Sequence, residues 1–131
     1  MRKFLSRLSD EMKVIKPENV EVKENPSKIF EGKVSTQTFV DESTSNDIRC
    51  TIVTFAPGSR TKLHTHTHEQ VLYVTEGKGI LATEDKENIV TPGTFVFVLP
   101  GEKHWHGATE DSSFSHIAIV TPGETNFEGK E

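Results

Sequence analysis

The stretch GSRTKLHTHTHEQVLYVTEG, residues 58–77, decides how this chain folds. His64, His66 and His68 alternate with threonines, and Gln70 follows at the same spacing. In an extended strand, alternate residues point to one face, so these side chains project together. Three successive same-face residues span too far for one ion. Two of the imidazoles can grip a cation while the third lies beyond its reach, and His68 reads most simply as a solvated surface residue. The Gln70 carbonyl can join from the same face if the strand bends. Imidazole nitrogen with amide oxygen, and no thiolate, suits a borderline or hard divalent metal.

Outward from this stretch, the hydrophobic pattern has period two rather than 3.6. KVSTQTFV, IRCTIVTFA, QVLYVTEG, GILATED, TFVFVLP and FSHIAIVT are short runs rich in Val, Ile, Thr, Phe and Tyr. They read as strands. Pro57-Gly58, Gly77-Lys78-Gly79, Pro92-Gly93 and Pro100-Gly101 punctuate them. Many short strands with regular turn signals predict an all-β sandwich or barrel of antiparallel strands. VTEGKGIL is expected to form a hairpin. Phe95, Phe97 and Leu99 share one strand face and Val96 and Val98 the other, which predicts burial on both sides or an oligomer interface. The expected division is an N-terminal arm over 1–30, a barrel over 31–121 and a loop-like, mobile tail over 122–131. Phe4, Leu5, Leu8 and Met12 would line one face of a short helix in the arm.

The 131 residues suit one domain with a single core. Net charge is −5 and no Lys/Arg run exists to neutralise phosphates, which argues against a nucleic-acid partner. No apolar run approaches the roughly 18 residues a membrane span needs. The basic N-terminus has too short and interrupted an apolar run for a signal peptide. Cys50, the one cysteine, is expected as a small buried hydrophobe, and it fits a reducing cytoplasm.

All six histidines fall in three segments: HTHTH, then EKHWHG with His104 and His106, then FSHIAIV with His116. That pattern predicts one pocket lined by imidazoles. Trp105, between two inward histidines, should point away, as should Tyr73, whose parity is opposite to that of Gln70. Phe95, Phe97, Leu72 and Val74 are expected as core or as apolar pocket walls.

Gly58-SRTKL-His64-Thr-His66-THE-Gln70-VLYVTE-Gly77 resembles the first motif of the cupin superfamily, and Gly93-TFVFV-Leu99-Pro100-Gly101-EK-His104 resembles the second. Leu99 stands where proline is usual, and Gln70 where the metal-binding Glu is usual. The resemblance implies a double-stranded β-helix, a jelly-roll barrel holding a divalent metal on His64, His66, Gln70 and His104. It also implies a homodimer. TFAPGSRTKLHTH, VTEGKG and PGEKHWHGATEDSSFSHIAI are similar to the small bacterial cupins that include manganese-dependent (R)-selective hydroxynitrile lyases. Those also use three His and one Gln, and their counterparts of His106 and His116 face the pocket beside the metal. They carry a Gln four residues after the counterpart of His116, where this chain has Val120.

Three imidazoles and a neutral amide would leave the full +2 charge on the metal, lowering affinity and raising Lewis acidity. Manganese is the expected metal, with Fe, Zn, Ni and Cu as alternatives. His106 and His116 are the candidate catalytic residues, as neutral imidazoles that accept and return a proton. Each could instead orient a neighbouring ligand. The leading expectation is a lyase acting on a small hydroxy or carbonyl compound such as a cyanohydrin. The alternatives are a dioxygenase using Fe or Cu and a non-catalytic metal or small-ligand binding module.

Overall fold

The computed structural model describes residues 11–130, and the expected helix around Phe4–Leu8 lies outside them. Among the described residues there is no α-helix. The strands are Lys23–Glu24 (β1), Phe30–Glu31 (β2), Val34–Val40 (β3), Arg49–Phe55 (β4), Arg60–Thr61 (β5), His64–His66 (β6) and Gln70–Gly77 (β7). They continue with Gly79–Ala82 (β8), Glu87–Val90 (β9), Phe95–Val98 (β10), Trp105–Ala108 (β11), Phe114–Val120 (β12) and Thr125–Phe127 (β13). A six-stranded sheet runs β1-β3-β4-β12-β7-β10, a five-stranded sheet runs β2-β5-β11-β8-β9, and β13 pairs with β6. Every pairing is antiparallel.

Alternation along the strands builds the core between the two larger sheets. Val34, Val53, Phe55, Leu72, Val74 and Phe114 come from the six-stranded sheet, and Leu81, Val90 and Ala108 from the five-stranded one. Phe55 is fully buried, with its ring 5.8 Å from that of Phe114. This is the expected jelly-roll barrel.

His116 faces inward by the alternation of β12, which keeps unbroken register with β4, Phe114 on Phe55 and His116 on Val53. One irregularity brings β7 into step with it. Ser115 pairs with Glu76 but His116 pairs with Val74, so the register of β12 on β7 slips and Thr75 is left unmatched. Without this bulge, His116 would align with outward-facing Thr75. With it, His116 joins Gln70, Leu72 and Val74 on the inner face, and it is fully buried.

Four expectations are corrected. VTEGKGIL is not a hairpin: β7 pairs with β12 and β10, whereas β8 pairs with β11 and β9, so the chain crosses between sheets here. Gly77 makes the crossing with φ +80, and a Cβ there would stand 1.9 Å from the Ser113 carbonyl oxygen. Phe95 and Phe97 are not core: they project outward, 70% and 55% exposed, with Phe97 adding to the wall of a cavity beside His104, while Leu72 and Val74 are core. The tail is not simply loop, because Thr125–Phe127 is a strand paired with His64–His66. Cys50 is half-buried rather than enclosed.

Gly77→Ala should cost at least about 2 kcal/mol, since it adds both a strained backbone and a clash with Ser113. Urea unfolding measures this, and an unchanged midpoint would contradict the crossover geometry.

Candidate metal centre

Two backbone bonds bring the halves of the site together. His64 N donates to His104 O at 2.9 Å, and His104 N donates to His64 O at 3.0 Å. This isolated antiparallel bridge sets the two rings 4.2 Å apart, centre to centre. The alternation of β6 puts His66 on the same side, 4.8 Å from His64 and 5.1 Å from His104. The chain leaves the strand conformation at Thr67 and resumes it at Gln70, which supplies the bend the carboxamide needs. His68 sits in that bend, half-buried, stacked on His66 at 4.8 Å.

His64, His66, Gln70, His104, His106 and His116 are all buried. His106 stands 5.5 Å from His64 and 5.7 Å from His104, and its Nδ1 lies 3.0 Å from His116 Nε2. Ring nitrogens of His64, His104 and His106 lie within 4.8 Å of one another. The structure therefore brings His106 into one cluster with His64 and His104, its ring centre lying farther from theirs than that of His66 does. Trp105 and Tyr73 point away as expected: Arg60 covers the Trp105 ring at 3.6 Å, and Tyr73 packs on Phe95 at 4.5 Å. Val120 pairs with Gln70 on the inner face, so it sets an apolar wall beside the carboxamide.

The buried polar atoms fit a cation. Among the described residues, His66 Nε2, His104 Nε2 and Gln70 Oε1 are buried without a hydrogen-bond partner, as is His116 Nδ1. An unsatisfied buried polar atom costs about 1–3 kcal/mol, and three such acceptors in one pocket call for a positive partner. His64 Nδ1 lies 2.7 Å from Lys62 O, and His104 Nδ1 lies 3.0 Å from Glu102 O. A carbonyl only accepts, so each Nδ1 carries the proton and each Nε2 keeps its lone pair. His66 Nδ1 meets the Thr125 hydroxyl at 2.9 Å. Nothing in the local sequence pattern marked Thr125, which lies 59 residues from His66.

A cavity of about 180 Å3 opens beside His104, with Leu81, Val96, Phe97 and Val98 among its apolar walls and Asn88 and Glu102 among its polar groups. A larger cleft of about 490 Å3 at Arg60 and Trp105 contains none of the buried imidazoles. Burial holds the imidazoles neutral. It lowers His64 to about 3, with His104 adding to the effect, and lowers His66 and His116 to about 4. Burial also lowers His104, and it drives His106 well below 6.5, helped by the adjacent His116.

These shifts fix the sign of the pH dependence. Above pH 6.5 the histidines are neutral in both states. Below it, the unfolded chain takes up protons that the folded chain refuses until about pH 4, so stability falls on acidification. For His116 alone the slope should approach about 1.4 kcal/mol per pH unit. Urea unfolding of metal-free protein between pH 6.5 and 5, above most carboxylate titrations, checks this; a flat profile would contradict it.

Residues 51–120 match the cupin domain. Over 68 residues the chain is 47% identical to the (R)-mandelonitrile lyase of Granulicella tundricola, which covers 51% of this chain and 52% of that protein. The chain thus spans about half the length of this curated relative. A cupin-like protein from Thermotoga maritima is 33% identical and superposes with a TM-score of 0.74, over 86% of this chain and 92% of its own. The polyketide cyclase RemF from Streptomyces resistomycificus shares the fold at 20% identity, with a TM-score of 0.79 over 92% of this chain and 89% of its own. On the matched domain, the barrel and the cluster of buried histidines, the chain belongs to the cupin family.

Proposed function

We propose that this protein is a metal-dependent lyase that cleaves a small cyanohydrin into an aldehyde and hydrogen cyanide. Its ligands would be His64, His66, Gln70 and His104, with manganese the proposed metal by resemblance to the manganese-dependent cupin lyases, since imidazole donors by themselves suit Fe, Zn, Ni or Cu equally. The observation that carries the reading is the hydrogen-bonded pair His106–His116, buried directly against the cluster of unpartnered acceptors. The 47% identity to a mandelonitrile lyase over half the chain supports it.

A divalent cation in this centre would supply Lewis-acid polarisation of the substrate oxygen. The chain's residues do the rest. His106 takes the hydroxyl proton of the cyanohydrin. The carbon–cyanide bond then breaks, the electron pair leaving with cyanide as the carbonyl forms. Cyanide receives the proton back from His106, which closes the cycle. His116 Nε2, 3.0 Å from His106 Nδ1, spreads the transient positive charge over two rings. Leu81, Val96, Phe97 and Val98 give the cavity beside His104 one apolar side, which suits the organic group of the substrate.

The same reading extends to assembly and setting. Ile52, Ile117, Tyr73 and Phe95 align in one row across the outer face of the six-stranded sheet, and Gln37 ends that row. The Gln37 amide holds Pro17 O and Val20 O, each at 3.0 Å, so the arm leaves from this face. Met12 and Val14 on the arm are 89% and 78% exposed. Exposed apolar side chains on the arm and an apolar face in one chain fit reciprocal exchange, and we propose a homodimer in which each copy covers the other's sheet. The lone thiol of Cys50 is in keeping with a cytoplasmic setting. Among the described residues no helix is long and apolar enough to cross a membrane.

Manganese-loaded protein should release benzaldehyde and cyanide from mandelonitrile, with His106→Ala and His116→Ala slower by roughly 100- to 10,000-fold. Absence of turnover with any divalent metal, or full turnover in His106→Ala, would contradict the lyase reading. Oxygen uptake with a phenolic substrate would favour a dioxygenase instead. Light scattering at micromolar concentration should give twice 14.6 kDa, and Phe95→Glu with Phe97→Glu should give the monomer. A monomeric wild-type protein would rule out the dimer.

A further inference from the structure

The geometry points to Thr125 as a positioning residue for the metal centre, and to β13 as a strap whose order is coupled to the cation. This inference rests on the proposal that His66 is a ligand. The three candidate imidazole ligands are not held alike. His64 and His104 each face a carbonyl two residues away in sequence, Lys62 O and Glu102 O. A carbonyl accepts only, so the local loop alone fixes each ring in the Nδ1–H form. His66 faces a hydroxyl instead, that of Thr125, 59 residues away. A hydroxyl donates as readily as it accepts, so Thr125 permits either tautomer. A cation at Nε2 requires the Nδ1–H form, with the Thr125 oxygen accepting. Metal binding therefore selects the tautomer in which His66 Nδ1 donates to Thr125, and the hydroxyl holds the ring in that orientation.

The tail is zipped onto the ligand-bearing strand. Thr125 pairs with His66, Asn126 with Thr65 and Phe127 with His64. Thr67 N donates to Glu124 O at 2.9 Å, and Glu124 N donates to the Thr67 hydroxyl at 2.9 Å. Gly123 lies so close to the His68 ring that a Cβ would stand 2.4 Å from its Cδ2. The Lys130 ammonium donates to Thr125 O, and Lys62 sits over the Phe127 ring at 5.7 Å. Apart from β6, no strand pairs with β13 among the described residues. With so few other contacts, its order depends on the strand that carries His64 and His66. By linkage, a cation that rigidifies β6 stabilises β13, and a fixed β13 tightens the cation.

The test compares wild type, Thr125→Val, Thr125→Ser and His66→Ala by chelator competition for manganese and by the visible spectrum of the cobalt-substituted forms. Thr125→Val keeps the shape and removes the hydroxyl, so affinity should fall 10- to 100-fold and the cobalt spectrum should shift. Thr125→Ser restores the hydroxyl and should bind within about threefold of wild type. His66→Ala should lose more affinity than Thr125→Val. If His66→Ala binds like wild type, the proposed ligand set fails. If His66→Ala weakens binding while Thr125→Val matches wild type, the positioning role is overturned and the ligand set stands. Hydrogen exchange on wild type is an independent arm. Manganese should slow the amides of residues 123–127, and equal rates with and without metal would overturn the coupled strap even if Thr125→Val does not fold.

Discussion

Three buried acceptors, His66 Nε2, His104 Nε2 and Gln70 Oε1, have no hydrogen-bond partner among the described residues. This is the constraint on which the rest of the site depends. Burial keeps the rings neutral, so their lone pairs stay available, and burial also forbids water from satisfying them cheaply. A small cation offsets all three penalties at once. Because the donor set contains no charged ligand, the cation keeps its full charge toward whatever else enters the pocket.

The fold serves this centre through a few non-local contacts. The mutual backbone bonds of His64 and His104 tie the β6 segment to the loop before β11. The alternation of β12 turns His116 inward, where it meets His106, and the bulge at Thr75 keeps β7 in step with it. Phe55 lies beneath both of these imidazoles, 5.8 Å from each ring, and so joins the hydrophobic core to the polar cluster. A change in packing at Phe55 would thus be felt by the His106–His116 pair before it reached the outer strands.

Much of this was legible in the sequence because strand parity is a local property. The spacing of His64 and His66, the outward turn of Tyr73 and Trp105, and the end of β12 at Val120 follow from alternation and turn residues alone. What was not legible depends on which strands pair. Gly77-Lys78-Gly79 has the composition of a hairpin turn, yet Gly77 serves a crossing between sheets, because both neighbouring strands find other partners. Phe95 and Phe97 gave an apolar face without saying whether it looks inward or out. Thr125 sits in a polar stretch whose only distinction is the strand it meets.

The most direct measurement is anomalous diffraction from crystals grown with manganese, collected on the long-wavelength side of the iron edge. The account predicts one peak per chain, about 2.0–2.3 Å from Nε2 of His64, His66 and His104 and from Gln70 Oε1. A pocket with no peak, or a peak held by residues outside this group, would contradict it.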